Sequence, residues 1–406
     1  MAKKAAMGRQ WHIRTHWLCS FMTAFLVLAA CAAQGAVTPL PPTEYPVFRD
    51  DLALRDLDSA LDQSLQYLQT RPLTTRYNFG GRSIAVQRLI DSAVFLQRML
   101  RNRPTSAQLN EQIRAHYEVV RAEGAQRPSG RRLLVTGYYQ PLFAGSLERT
   151  PSCPHPVHAQ PDNLLVHEGT GGQPAIGRLE AGQFKPYWTR REIEEGNLLK
   201  GQELVWLKDP FDVFVLHIQG SGHIRLTDGT VRALHYARSN GREYRSIGKL
   251  MVDSGRMRLE DVTMDRIRDY LKVHPEERDQ ILHHNESYIF FQWGKPGPAI
   301  GNLGKALTPG RSIAVDQQWL PPGGVAFLDS RKPVVDNGQV AGWERMQRFV
   351  TVQDTGSGLK GPGRVDVFLG SGDAAGTMAG QMKEDGALYL LLLKEPEAGA
   401  ENRSGL

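Results

Sequence analysis

Asp354 and Asp366 stand twelve residues apart in Val352-Gln353-Asp354-Thr355-Gly356-Ser357-Gly358 and Arg364-Val365-Asp366-Val367-Phe368-Leu369. Asp354 ends an alternating apolar run (Phe349, Val350, Val352) and opens a glycine-rich turn. Asp366 lies inside a second apolar run, 365–369, patterned as a buried strand. Burying an ionised carboxylate costs free energy and raises its pKa. A carboxyl held partly protonated near neutral pH can give a proton to a leaving oxygen, the step that cleavage of a glycosidic bond requires. The competing reading is structural: a lone aspartate here caps a turn or pairs with Arg364. The second carboxylate and the surrounding glycines favour chemistry.

Other residues have side chains suited to holding a substrate. Tyr138 and Tyr139 lie between Gly137 and Pro141 at the end of an expected strand, 133–139. Neighbours on a strand point to opposite faces, so at most one ring lines a given groove and the other packs. Gln219-Gly220-Ser221-Gly222 follows an apolar run, 213–218, read as a strand. Glycines let a backbone approach a ligand, and the Gln and Ser groups can bond hydroxyls and amides; the same four residues also suit a tight turn. Gly370-Ser371-Gly372 has the look of a dinucleotide fingerprint, but too little chain follows to complete further strand–helix–strand units. Cys153, His155, His158 and His167 fall in a proline-broken loop with no second ligand cluster, so no metal and no cofactor is expected. Neither a Gly-x-Ser-x-Gly nucleophile turn nor a His-Glu-x-x-His metallopeptidase motif occurs.

The elements that must position these residues begin with three amphipathic helices, expected over 51–70, 83–101 and from the capping box of Thr105 and Gln108 to 122. From Leu133 the period moves toward two. A helix is expected after the capping box at Thr189, and two more over 263–273 and 275–284. Strands follow from Tyr288, then a helix near 374–384 and a last strand, 388–393. Helices followed by many short strands predict an α+β or mainly-β fold. With 406 residues, 41% of them hydrophobic and 23% charged, the chain can build two domains. Lys3, Lys4, Arg9 and Arg14 supply most of the +6 formal charge, and no basic stripe interleaved with aromatics suggests nucleic acid.

Those basic residues precede a short apolar run, 17–30, which reads as a targeting segment. It ends Leu28-Ala29-Ala30-Cys31, a match to the bacterial lipobox, where cleavage precedes a cysteine that receives lipid. Ordinary secretion with cleavage around 30–32 is the alternative. Ala32 after the cysteine suggests, by analogy with bacterial lipoproteins, the periplasmic face of the outer membrane. Residues 37–47, with four prolines, are expected to be an extended tether. With Cys19 removed and Cys31 acylated, Cys153 is left without a disulfide partner.

The ordered motifs resemble the membrane-bound lytic murein transglycosylase A family. They are Val135-Thr136-Gly137-Tyr138-Tyr139-Gln140-Pro141, His217-Ile218-Gln219-Gly220-Ser221-Gly222, Tyr244-Arg245-Ser246-Ile247-Gly248-Lys249 and Asn285-Glu286-Ser287-Tyr288-Ile289-Phe290-Phe291. Asn302-Leu303-Gly304 and Asp316, Asp354 and Asp366 complete a three-aspartate signature, and the resemblance runs over about 45–394. It implies a double-psi β-barrel with a smaller β-barrel domain inserted and a groove between them. The expected partition is a lipoprotein signal peptide, 1–30; lipidated Cys31 and a linker, 31–47; the catalytic domain, 48–140 plus 285–394; the inserted domain, 141–284; and a tail, 395–406. The implied reaction is non-hydrolytic cleavage of the β-1,4 bond between N-acetylmuramic acid and N-acetylglucosamine, leaving a 1,6-anhydro product.

In that reading Asp366 is the acid and base, Asp354 supports it and Asp316 holds the site together. Thr136, Tyr138, Tyr139, Gln219 and Ser221 contact glycan. Pro362-Gly363 make the turn between Asp354 and Asp366 a residue longer than the family form, which bears on the support that Asp354 gives. The implied partners are peptidoglycan strands and outer-membrane lipid through Cys31, with cell-wall synthases or other hydrolases left open. A two-carboxylate glycoside hydrolase and a non-catalytic peptidoglycan-binding lipoprotein are the alternatives.

Overall fold

The computed structural model describes residues 37–127, 130–168, 174–295, 297–336 and 339–395. The signal peptide, Cys31 and the tail beyond 395 lie outside them. Helix Leu57–Leu68 starts later than its apolar spacing suggests. Asp50 accepts from the N–H groups of Leu52 and Leu54, and Ala53, Leu54 and Asp56 take positive φ, so 51–56 is a chain of turns. Helix Val86–Arg101 follows a hairpin of Arg76–Phe79 with Arg82–Ala85. Helix Ser106–His116 carries the expected capping box but yields at Tyr117 to a strand, Tyr117–Ala122. The segment read as a tether is packed: Val37–Pro39 pairs with Tyr117–Ala122, and Tyr45 and Phe48 are buried.

Six strands close into a barrel. Around it run Lys383–Leu393, Val325–Asp336, Gln339–Asp354, Ser312–Ala314, Arg364–Ser371 and Gly130–Gln140, the last pairing back to the first. The chain is therefore mainly β with helices, and the closed barrel matches the expected double-psi β-barrel architecture. Ser312–Ala314 runs parallel to Gln339–Asp354, and Arg364–Ser371 runs parallel to Gly130–Gln140. Strand alternation sends Val135, Ile313, Ala326, Leu328, Val350, Val352, Val365 and Val367 to one face, where they form a common core. Val325, Phe327 and Phe349 point the other way and pack under the N-terminal helices with Leu57, Leu61, Leu96 and Ile113.

A second sheet has the order Ile289–Gly294, Val231–Ser239, Ser221–Arg225, Leu142–Ser146, Glu203–Leu207, His155–His158, and a bridge between Ala159 and Phe291 joins its edges. Ile289–Gly294, expected with the segment after 284, pairs within this sheet. The run 213–218 is not a strand but part of helix Pro210–Gln219. Asp209 caps it by accepting from the Phe211 N–H at 2.9 Å, and Pro210 suits its first turn. Gly220, at φ 74°, ends it in the left-handed conformation. Val213 and Leu216 pack on the sheet, while Phe211, Phe214 and Val215 pack on Ile247, Met251 and Ile267. Burial on both sides erases the polar face that identifies a helix in sequence.

Candidate active site

Val365 and Val367 face the barrel core, so Asp366 faces away from it. This is how a carboxylate sits in an apolar strand: one face is core, the other is site. Ala314 of the three-residue strand pairs with Asp366 on one side and Asp354 on the other, which sets the spacing of the two acids. The parallel register opposes Asp366 to Thr136, whose hydroxyl donates to Asp366 Oδ1. Arg364, two residues back on the same face, donates from Nε to Oδ1 at 2.9 Å and from Nη2 to Oδ2 at 3.1 Å. The structural reading of Asp366, a partner for Arg364, is thus realised. Asp366 is 15% exposed and Arg364 36%.

Both line a pocket of about 100 Å³. Its other walls include Tyr244, Asn285, Ser287 and His217, from the chain that builds the second sheet, and Ser357 and Leu359 from the turn between the aspartates. Nothing in local spacing signals that residues near 217, 244 and 285 meet residue 366. The motif list contained them, but only the fold brings them together.

Asp354 is enclosed differently. Its Oδ1 accepts from the N–H groups of Asn302, at 2.8 Å, and Thr355, at 2.9 Å, and its Oδ2 accepts from the Tyr138 hydroxyl at 2.9 Å. Burial pushes this carboxyl above its usual value; the bonds from Asn302, Thr355 and Tyr138 oppose the rise, and the charge of Asp366 adds to it. Asp316 accepts from Gln318 N at 3.0 Å and Gly361 N at 2.8 Å, and so pins the glycine-rich turn to the end of the three-residue strand.

The expected substrate residues divide. Thr136 and Tyr138 share the face of the aspartates. Tyr139 lies on the other face and, with Gln219, lines a separate pocket of about 380 Å³ that also takes in Phe143, Arg268 and Asp373. Gln219 Oε1 accepts from Tyr139 N at 3.1 Å, so its amide already holds the strand end. Ser221 opens a strand opposite His235. Gly222 packs beneath Leu216, where a Cβ would come within 2.6 Å, so this glycine serves the fold. Cys153, His155, His158 and His167 are not gathered; among the described residues the group spaced to hold a metal is His274, Glu276 and Glu277.

Two family models match the chain, the MltA specific insert domain over residues 134–292 and the 3D domain over 311–392. A membrane-bound lytic murein transglycosylase A of Escherichia coli is 31% identical over 258 residues, 63% of this chain and 64% of that protein, just under two thirds of its length. A membrane-bound lytic murein transglycosylase structure from Agrobacterium tumefaciens superposes with a TM-score of 0.71 at 27% identity, covering 88% of this chain and 98% of the other. A lytic transglycosylase of Burkholderia pseudomallei is 30% identical, with a TM-score of 0.51, over 90% of this chain and 97% of its own. With both family models in order, and with the barrel and its aspartates in place, the chain belongs to the membrane-bound lytic murein transglycosylase A family.

Proposed function

We propose that the protein cleaves the β-1,4 bond between N-acetylmuramic acid and N-acetylglucosamine in peptidoglycan without water, with Asp366 as the single acid and base. The observation that carries this reading is the placement of Asp366 on the outward face of its strand, lining a pocket that residues of the second sheet complete. Protonated Asp366 gives its proton to the glycosidic oxygen as the C1–O bond breaks and positive charge develops at C1. The C6 hydroxyl of the same muramic residue then attacks C1. Its proton passes to the Asp366 carboxylate, and the C1–O6 bond closes a 1,6-anhydro ring. The nucleophile is already part of the substrate, so no second catalytic carboxylate is needed.

Thr136 orients the Asp366 carboxyl, and Arg364 must release it before it can carry a proton; the half-exposed position of the guanidinium leaves room to swing toward solvent. Asp354 supports from behind, through Tyr138, and Asp316 holds the turn. The enclosure of Asp354 by three donors, away from the pocket lining, counts against a hydrolase with two working carboxylates. Thr136, Tyr138, Tyr139, Gln219 and Ser221 are proposed glycan contacts. The catalytic domain is proposed to comprise 48–140 plus 285–394, with 141–284 inserted.

The relatives are named membrane-bound, and no helix among the described residues is long and apolar enough to cross a membrane. Anchoring through an acylated Cys31 at the periplasmic face of the outer membrane accounts for both. Mass spectrometry of fragments released from purified peptidoglycan tests the reaction: anhydro products are expected, and products one water heavier would establish hydrolysis instead. Asp366→Asn is expected to cut turnover by roughly 10²–10⁴-fold with glycan binding kept. Release at the wild-type rate by the folded variant would remove Asp366 from the role, and binding without any release by the wild type would leave a tethering lipoprotein.

A further inference from the structure

Arg364 donates from Nε and Nη2 to both carboxyl oxygens of Asp366, at 2.9 and 3.1 Å, and Nε also reaches the Thr136 hydroxyl at 3.4 Å. Asp366 is the only carboxylate among the described residues that line the pocket they share. The other charged residue there is Arg190, and it is already committed. Its Nη1 pairs with Glu194 at 3.0 Å, and its Nε and Nη2 donate to the carbonyls of Asn285 and Ser287. His217 and Tyr244 line the same pocket, and burial keeps the imidazole without a second proton and the phenol with its own. Charge in the pocket is therefore matched only while Asp366 is ionised. Once Asp366 takes up the proton that cleavage needs, the Arg364 guanidinium has no anion on any wall.

A guanidinium is always charged, and its rigid fork matches a carboxylate. Arg364 is 36% exposed, so a ligand can reach it. The cavity bounds that ligand. About 100 Å³ is the share of roughly three water molecules in the liquid, well below the ~300–1,000 Å³ of sites that enclose a whole ligand. It admits a substituent and not a sugar ring. A small anionic substituent meets both limits. Of the two sugars that alternate in the strand, only the muramic residue is an acid. Its lactyl arm ends in a carboxyl that is either free or extended by a peptide with carboxylates of its own.

We infer that Arg364 is a specificity residue, whose guanidinium exchanges Asp366 for a carboxylate of the muramic residue when Asp366 becomes protonated. The inference rests on the glycan-cleaving reading above and names what draws the guanidinium off the acid. Protonation of Asp366 frees Arg364 for the carboxylate, and by linkage the bound carboxylate favours the protonated acid. The substrate thus arms the residue that cleaves it.

The test uses Asp366→Asn, whose neutral amide stands in for the protonated acid and spares the substrate. Affinity is measured for glycan strands stripped of peptide, which carry free lactyl carboxylates, and for the same strands with those groups converted to neutral amides. The acidic strands should bind about fivefold tighter or more. Adding Arg364→Gln should bring the two affinities within about twofold. Adding Arg345→Gln instead, which removes an exposed guanidinium paired with Asp329 outside the pocket, should leave the preference in place. If the Gln double variant does not fold, Arg364→Lys, which keeps the charge, is compared with Arg364→Met, which does not. Lys should keep most of the preference and Met should lose it. Strands that still carry peptide, where the lactyl carboxyl is already an amide, separate the two sources. A preference for these strands over their amidated form assigns the carboxylate to the peptide, and a preference confined to stripped strands assigns it to the lactyl arm; both support the exchange. Equal binding of acidic and neutral strands of both kinds, or a preference that survives Arg364→Gln, overturns the inference and leaves the cleavage reading intact. Absence of any cleavage by wild type overturns the cleavage reading, whatever the affinities show.

Discussion

At the scale of single residues, Asp354 and Asp366 look alike in sequence and are unlike in the structure. Both end or interrupt apolar runs, and that pattern is why they stand out. It allows a pair with Arg364, but it cannot tell that Asp366 lines a pocket while Asp354 is enclosed by two backbone N–H groups and a phenol. Arg364 and Thr355 are close in sequence, but Tyr138 and Asn302 are not, and only the fold brings them to Asp354. The difference makes a prediction about Asp354→Asn. Burial raises the Asp354 carboxyl, so the folded protein holds that proton more tightly than the unfolded chain does. Below about pH 4, near the ordinary Asp value, both states are protonated and the two proteins should melt together. As pH rises through the higher folded value, the wild type gives up stability that the neutral amide retains. The gap in melting temperature should therefore open in favour of Asp354→Asn between acid and neutral pH. An unchanging gap, or one that opens in favour of the wild type, would contradict the assignment.

At the scale of elements, the site hangs on the short strand Ser312–Ala314, and that strand is tied to the N-terminal turns. Arg311, fully buried, donates from Nη1 and Nη2 to Asp50 at 2.6 and 2.8 Å, and also to the carbonyls of Arg55 and Phe349. Burial would raise the Asp50 carboxyl, but the bonds and charge of Arg311 outweigh it and hold the carboxyl below its usual value. Removing one partner leaves the other charge buried and unpaired, so Asp50→Ala should cost about 3–5 kcal/mol in chemical denaturation. Because the shift is downward, this contribution is present at neutral pH and lost as pH falls below about 4, where the wild-type advantage should narrow. A loss under 1 kcal/mol at neutral pH would mean that the turns, and not the pair, hold the strand. The elements themselves were legible where one face is polar: the capping boxes at Thr105 and Thr189 and the helices Met264–Val273 and Pro275–His283 start where sequence places them. Helix Pro210–Gln219 was not, because it has core on both sides. The signals that could have found it were its ends, Asp209-Pro210 and Gly220.

At the scale of the whole molecule, the barrel, its inserted sheet and the order of motifs came from resemblance, since hydrophobic alternation carries no strand order. The resemblance implies that Tyr138, Tyr139 and Gln219 all contact glycan, while strand alternation lets at most one of the two rings line a given groove. On the strand Gly130–Gln140, Tyr138 points toward Asp354 and Tyr139 toward the 380 Å³ pocket. That larger pocket is lined by helices Pro210–Gln219, Met264–Val273 and Asp373–Gln381, so both barrel and insert contribute to it. If Tyr139 and Gln219 belong to the path of the glycan, that path extends past the edge of the strand, and only a long glycan reaches both places. Affinity measured in an Asp366→Asn background, where the substrate survives, separates the possibilities by length. Tyr138→Ala should weaken short and long strands alike, because its ring packs on Phe368 and its hydroxyl holds Asp354. Tyr139→Ala should weaken long strands by about tenfold, in line with the ~1.4 kcal/mol that a lost aromatic contact represents, and leave a disaccharide unit unaffected. Equal effects of Tyr139→Ala on short and long strands would place its ring at the bond being cleaved, and no effect on either would make the larger pocket a seam of the fold.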